Sequence, residues 1–335
     1  MRKKINFKKE SNAAPSWRPS ATLATLRRRA DIVREIRHFF KRNNVLEVDT
    51  PLLMPNGSSD PALNSFVAEP HTELTGSLRG FLQTSPEIAM KRLLAAGSGD
   101  IYQLCKAFRA EIQSRHHLPE FTLLEWYRIG FDHHRLMDDV EAMVKTIAPT
   151  LRFARHSYQN LFYAGTGIDP HFATNDELVA EVARSNIELG DFSGDRATLL
   201  DALFAHVVLR DNPSTSATFV YDFPVEQAAY ARIQPGSPPV AQRFELLIGG
   251  TEIANGYFEL AEAAEQEARH ARENERREYF GLPLVEPDPS LFAALEAGSF
   301  PKCAGVAFGL DRFVMVCARK ESVSEAVSFD PFNES

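Results

Sequence analysis

The chain has 335 residues, 44% of them hydrophobic, and a formal net charge of -8. That length can bury one large core or two modest ones, while the acidic balance argues against a broad electrostatic grip on nucleic acid. Cys105, Cys303 and Cys317 form neither a disulfide-dense pattern nor a Cys-x-x-Cys pair; they read as reduced thiols of a cytoplasmic protein and argue against zinc. No stretch is apolar and long enough to span a bilayer, so no membrane partner is expected.

Residues 1–15 are basic and lack the apolar run of a secretory leader, so they read as a solvated, disordered tail. From residue 22 to 44 the apolar positions Leu23, Leu26, Ala30, Val33, Ile36 and Phe40 recur every three or four residues, the spacing of one helix face. A short β-type run over 45–51 follows, and Pro51, which has no amide donor, ends it. Residues 86–96 read as a helix. Residues 101–109 and 120–131 carry the aromatic and branched side chains of buried strands, and the polar connector between them holds Arg115, His116 and His117.

Residues 136–239 read as a mostly helical insertion, with 218–222 returning to the core as a strand. The Glu- and Arg-rich stretch 262–279 reads as an exposed helix. Between the apolar runs 243–248 and 251–260 stands Gly249-Gly250, a hairpin signal because both residues can take positive φ. A two-residue turn there pairs Ile248 with Thr251, Leu247 with Glu252 and Glu245 with Ala254. Last, 305–308 is a short strand feeding a helix that opens near Asp311, which is placed to cap it.

Four segments offer chemistry. Glu245 and Glu252 share a sheet face in that hairpin, and two such carboxylates supply the hard oxygen ligands of Mg²⁺, although a solvated surface pair looks the same in sequence. In Phe108-Arg109-Ala110-Glu111 the two-residue period puts Arg109 and Glu111 together; the Arg fork suits phosphate, or half of a structural ion pair. The same period aligns Phe121, Glu125 and Tyr127, an aromatic, an acid and a phenol suited to a base and an ammonium group, or to an edge of the core. Gly309 permits close approach of a ligand to the backbone, and Arg312, in the first helical turn against the macrodipole, calls for an anionic or aromatic partner.

Taken in order, these segments resemble the signature motifs of class II aminoacyl-tRNA synthetases of the lysyl type. The first helix with 45–51 looks like motif 1, 108–127 like motif 2 and 305–312 like motif 3. Thr84-Ser85-Pro86-Glu87 and Glu252-Ile253-Ala254-Asn255-Gly256-Tyr257-Phe258-Glu259-Leu260 match the lysyl-specific stretches. The resemblance implies an α/β (α+β) fold, an antiparallel sheet flanked by helices, over residues 16–335. Lysyl-tRNA synthetases carry an anticodon-binding barrel ahead of motif 1, which here begins almost at once. A catalytic domain alone is similar to the ligases that attach (R)-β-lysine to a lysine of translation elongation factor P. Ala307, where synthetases for α-lysine typically have Gly, points the same way.

By this resemblance the cofactors are ATP and Mg²⁺, the partners elongation factor P and (R)-β-lysine, the assembly a homodimer, and tRNA is not an acceptor. Arg109 and Arg312 would be catalytic. Arg109, Glu111, His117, Phe121, Glu252, Ile253, Gly309 and Arg312 would bind ATP, Phe121 and Arg312 sandwiching adenine. Ser85, Pro86, Glu87, Glu125, Tyr127, Asn255, Glu259 and Ala307 would line the amino-acid pocket, and Glu245 with Glu252 would hold the metal. The chain departs from the pattern at Ala110 and Leu118, where Asn is common. A truncated lysyl-tRNA synthetase-like enzyme activating α-lysine and a non-catalytic synthetase-like regulator remain as alternatives.

Overall fold

The computed structural model describes residues 17–69, 79–111, 113–189, 195–208 and 216–332, so the expected basic tail lies outside the described residues. Helix α1 (Leu23–Arg42) starts where the Thr22 hydroxyl accepts from the Thr25 amide and ends on Lys41 and Arg42, cations that suit its carbonyl end. Short strands β1 (Leu46–Glu47), β2 (Leu53–Met54), β3 (Val67–Ala68) and β4 (Gly80–Leu82) precede helix α2 (Glu87–Ala95). Strands β5 (Ile101–Phe108) and β6 (Glu120–Ile129) flank the polar connector, and α3 (His133–Ile147) follows. Then come β7 (Arg152–Ser157), α4 (Tyr158–Thr166), α5 (Asn175–Arg184), α6 (Arg196–Leu203), β8 (Ser216–Phe223) and β9 (Ile233–Gln234). The hairpin β10 (Val240–Ile248) and β11 (Thr251–Phe258), α7 (Ala263–Tyr279), α8 (Pro289–Glu296), β12 (Cys303–Gly309) and α9 (Leu310–Cys317) complete the order.

One sheet runs β1-β5-β6-β12-β11-β10-β8-β7, with β9 attached to β10, and β2-β4-β3 form a small second sheet. The main sheet is antiparallel except at its two ends, where β1 runs parallel to β5 and β7 parallel to β8. One face is fully roofed: Phe40 of α1, Val140 of α3 and Phe313 of α9 close over Trp126, Phe219, Phe244, Val306 and Phe308. The other face is roofed only toward its ends. Tyr158, Phe162, Leu178, Leu199 and Leu203 cover β8 and β10 around Val220 and Leu247, and Met90, Leu94, Leu291 and Leu295 cover Ile101, Tyr127 and Cys303. The centre of that face, over β6, β12 and β11, is where a cavity opens. The segment 136–239 thus shares its buried core with the sheet, β7 and β8 within it being sheet strands. Among the described residues no helix is long and apolar enough to cross a membrane.

Three details differ from the sequence reading. The Gly249-Gly250 turn forms with φ of 59° and 75°, and Ile248 pairs with Thr251 and Leu247 with Glu252 as expected. A bulge then intervenes: Leu246 pairs with Ala254 and Glu245 with Asn255, not Ala254. Helix α7 is not simply exposed, because Gln266, Arg269 and Arg277 are buried. Arg269 donates to the Ala229 and Ala231 carbonyls at 2.5 and 2.7 Å, and Arg277 to those of Ser58 and Asp60 at 3.3 Å. Its inner face is polar, which hydropathy cannot register. Asp311 does not cap α9; Gly309 occupies the cap position without a side-chain bond, while the Asp311 carboxylate accepts from the Thr122 amide at 2.8 Å and pairs with Arg29 at 2.6 Å.

That pair ties α1, β6 and α9 together. Asp311 is 3% exposed, so removing its cation leaves a carboxylate without its counter-ion in a dry site. Arg29→Ala is expected to destabilise the fold by about 3 kcal/mol, read as a lower midpoint in urea denaturation.

Candidate active site

The floor of the cavity consists of two cross-strand rows. Glu125, Ala307, Asn255 and Glu245 lie abreast on β6, β12, β11 and β10, and Tyr127, Gly305, Tyr257 and Arg243 form the next row. Strand β12 borders the cavity with Gly305, Val306, Ala307 and Gly309, and its small residues leave space that their taller neighbours surround. At Gly305 a Cβ would stand 2.3 Å from Tyr127 Cε1 and 2.5 Å from Glu259 Oε1; only glycine admits both groups. The bulge completes the floor. Without it, the two-residue period would put Glu252 on the face opposite Asn255, Tyr257 and Glu259; with it, all four line one cavity.

At one end of this cavity of about 240 Å³ stand Arg109, Glu111, His116, His117, Phe121, Glu252 and Arg312. The Arg109 guanidinium lies 5.1 Å from the Phe121 ring centroid, and its Nε is buried without a hydrogen bond. Arg312 finds the partners its position called for: Nε donates to the His116 carbonyl at 3.1 Å, and Nη1 reaches the Glu252 carbonyl at 3.1 Å and its carboxylate at 3.4 Å. His117 Nδ1 meets Ser114 Oγ at 2.8 Å. Burial, and then the nearby Arg312 charge, hold the His117 imidazole below its ordinary pKa.

The other end is a buried charge cluster. Lys91, 1% exposed, places Nζ 2.6 Å from Glu87 and 2.8 Å from Glu259, and 4.8 Å from the Tyr230 ring centroid. Burial alone would lower its pKa, but the Glu259 and Glu87 carboxylates hold it raised. Glu125, also buried, accepts from the Tyr127 hydroxyl at 2.7 Å. Burial first, and the Glu87 charge next, push its carboxyl up to about 8. Burial likewise raises Glu259 against the pull of Lys91. Three carboxylates therefore share one built-in ammonium.

The structure brings together Ser85, Glu87, Arg109, Glu111, His117, Phe121, Glu125, Tyr127, Glu252, Ile253, Asn255, Glu259, Ala307, Gly309 and Arg312 around one cavity. Two expected residues stand apart. Pro86 lines an adjoining cavity of about 160 Å³ that shares Ser85, Glu87 and Tyr257 with the first. Glu245 ends the first floor row beside Asn255 without lining the cavity, its carboxylate 2.6 Å from Arg243 Nη2, its pKa raised by burial against the pull of Arg243. Lys91, Arg243, Tyr257 and Gly305 were missed by the sequence reading. For Lys91 a signal existed: it follows Glu87 by four residues, the spacing of a helical ion pair. At the two departures, the Ala110 amide bonds to the Asn64 carbonyl at 2.7 Å, and Leu118 packs against the main core.

A family model described as class II tRNA synthetases (D, K and N) matches residues 9–333. The chain belongs to this family. The class II synthetase fold that the motifs implied is the fold observed, and the chain is an ATP-dependent ligase of that type. It is 44% identical over 320 residues to a Vibrio cholerae protein named elongation factor P-(R)-beta-lysine ligase, covering 94% of this chain and 98% of that one. A Mannheimia succiniciproducens protein of the same name is 44% identical over 317 residues, 94% of this chain and 97% of its own length. A third, from Pseudoalteromonas translucida, is 44% identical over 320 residues, with 94% and 97% covered.

The raised Glu125 carboxyl ties this class II site to pH. Because its folded value lies above the ordinary 4.5, the protonated form favours folding; that stability is present below 4.5 and lost as pH rises through about 8. In thermal denaturation of the substrate-free protein, the midpoint should fall relative to Glu125→Gln between about pH 5 and 8. A gap between the two that does not change with pH would sink this assignment.

Proposed function

We propose that this ligase activates (R)-β-lysine with ATP as an aminoacyl-adenylate and transfers it to the side-chain amine of a lysine on elongation factor P. The observation that carries the reading is the charge of the cluster around Lys91. With Glu125 ionised, Glu87, Glu125 and Glu259 exceed Lys91 by two charges. A diamino acid brings two ammonium groups to the pocket, and its own carboxylate is the group that reacts. Before binding, Glu125 keeps its proton; the entering ammonium expels it. The names borne by the relatives supply the rest: the β isomer and the protein acceptor.

In the first step a carboxylate oxygen of the amino acid attacks the α-phosphorus, and the bond to pyrophosphate breaks. Arg109 contacts the α-phosphate and spreads the charge that accumulates there. Phe121 and Arg312 hold the adenine between them, Glu111 and His117 steady the nucleotide, and Gly309 and Ile253 border it. Glu87, Glu125, Tyr127, Asn255 and Glu259 orient the amino acid over Ala307, with Ser85 and Pro86 at its edge, so that much of the barrier is met by positioning. In the second step the acceptor amine, having lost a proton, attacks the acyl carbon and the bond to AMP breaks.

Glu252 fits a Mg²⁺ ligand: its side chain is 43% exposed and, among the described residues, is engaged by a 3.4 Å contact with Arg312. Glu252 would hold such an ion, which would supply positive charge to offset the negative charge of the nucleotide phosphates. Glu245, engaged by Arg243, adds negative charge near Glu252. We further infer that residues 16–335 act as one catalytic domain in a homodimer, with motif 1 at the interface.

Arg109→Ala should slow pyrophosphate exchange roughly a hundredfold or more; retained exchange refutes its role. Offered side by side, β-lysine should be activated better than α-lysine by about 1–3 kcal/mol, the worth of one methyl-sized change at Ala307. Equal or α-favoured activation removes that residue from the argument. When labelled amino acid is incubated with elongation factor P and tRNA together, label should enter only the protein; labelled tRNA would instead identify an α-lysine-activating synthetase.

A further inference from the structure

Two adjacent histidines and an aspartate that do not line the catalytic cavity meet elsewhere on the chain. His133 and His134 open α3, and Asp222 ends β8; one ligand atom from each lies within 4.8 Å of the others. His133 Nε2 is 3.0 Å from Asp222 Oδ1. The two imidazole centroids are 4.1 Å apart, and His134 is steadied by Tyr221 at 5.2 Å. We propose that His133, His134 and Asp222 form a site for a divalent transition ion of the Zn²⁺ class.

Two observations favour an ion over a histidine–aspartate pair kept for packing. Asp222 adopts a φ of 57°, in the left-handed region, a backbone cost that turns its carboxylate toward the imidazoles. His134 adds a second imidazole that packing of the core does not require, since it is exposed. Two imidazole nitrogens and one carboxylate oxygen match the donors of zinc, and disfavour Mg²⁺ and Ca²⁺, which select all-oxygen sites. Three protein ligands leave a fourth position on the exposed His134 side for water. The ion would clamp the start of α3, which packs on the main core, to the end of β8, whose Val220 and Phe223 belong to the helical side.

The test is calorimetric titration of the chelator-treated full chain with zinc chloride, followed by metal analysis after desalting. One zinc per chain is expected, with a higher thermal midpoint. His134→Ala, an exposed position, and Asp222→Asn should each weaken zinc binding roughly tenfold or more, and calcium chloride should give no binding heat. A wild-type chain that binds no zinc, or variants that bind it as the wild type does, would overturn the proposal.

Discussion

In the hairpin that forms part of the cavity floor, Leu247 faces Glu252 while Leu246 faces Ala254, leaving Ile253 as the extra residue. That single insertion reverses the alternation of side chains along β11. On its turn side, Glu252 projects toward the Arg109 and Arg312 end of the cavity; beyond it, Asn255, Tyr257 and Glu259 project to the same side rather than into the roofed core. An unbroken ladder would bury Glu252 among Phe244, Leu246 and Phe308 or else send Glu259 away from Lys91. The site's two halves share one chamber because the register slips once between them.

The Lys91 end of the cavity depends on a different balance. A buried lysine paired twice, to Glu87 and Glu259, joins α2 to the chain just beyond β11, and its desolvation is offset only because both carboxylates stay within hydrogen-bond reach. Glu125 lies beside this pair without a cation of its own, which is why burial holds its carboxyl near 8. Such an arrangement favours a cationic guest over an empty or neutral pocket. Gly305 makes it possible, since any side chain there would displace Tyr127 or Glu259. Binding preference in this enzyme is thus stored as unbalanced charge, held by packing against helices at both sides of an open sheet centre.

Much of this was legible beforehand where the signal is local. Helix α1, the strands on either side of the motif 2 connector, and the glycine turn follow from side-chain spacing and backbone freedom and stand in the structure, although Leu23 and Ala30 of the expected α1 face are exposed and Ile32, Ile36, Phe39 and Phe40 are the apolar side chains it buries. Phe121, Glu125 and Tyr127 align because no bulge interrupts β6, and Arg109 and Glu111 both reach the cavity from the irregular stretch beyond β5. Helix α7 shows where hydropathy fails: its inner face is built from Arg269, Arg277 and Gln266 bonded to loop carbonyls, so charge there marks burial. Asp311 shows the limit of capping rules, its carboxylate being taken by Arg29 from a helix nearly three hundred residues away.

By itself the sequence indicated the first helix, the strands flanking the polar connector, the glycine hairpin and the strand that leads into α9, together with many groups of the cavity, since those depend on residue type and spacing within a few turns of chain; it showed neither β7 nor α8 and did not single out Tyr257 or Gly305. The tertiary structure alone decided which of them meet. Glu245, a candidate metal ligand by sequence, is paired with Arg243, and Lys91, unremarkable by sequence, became the centre of the buried charge cluster. His133 and Asp222, eighty-nine positions apart, touch only because α3 starts where β8 ends. Cross-strand register and long-range charge pairing are properties of the packed sheet, and no local pattern of residues encodes a slip of one position.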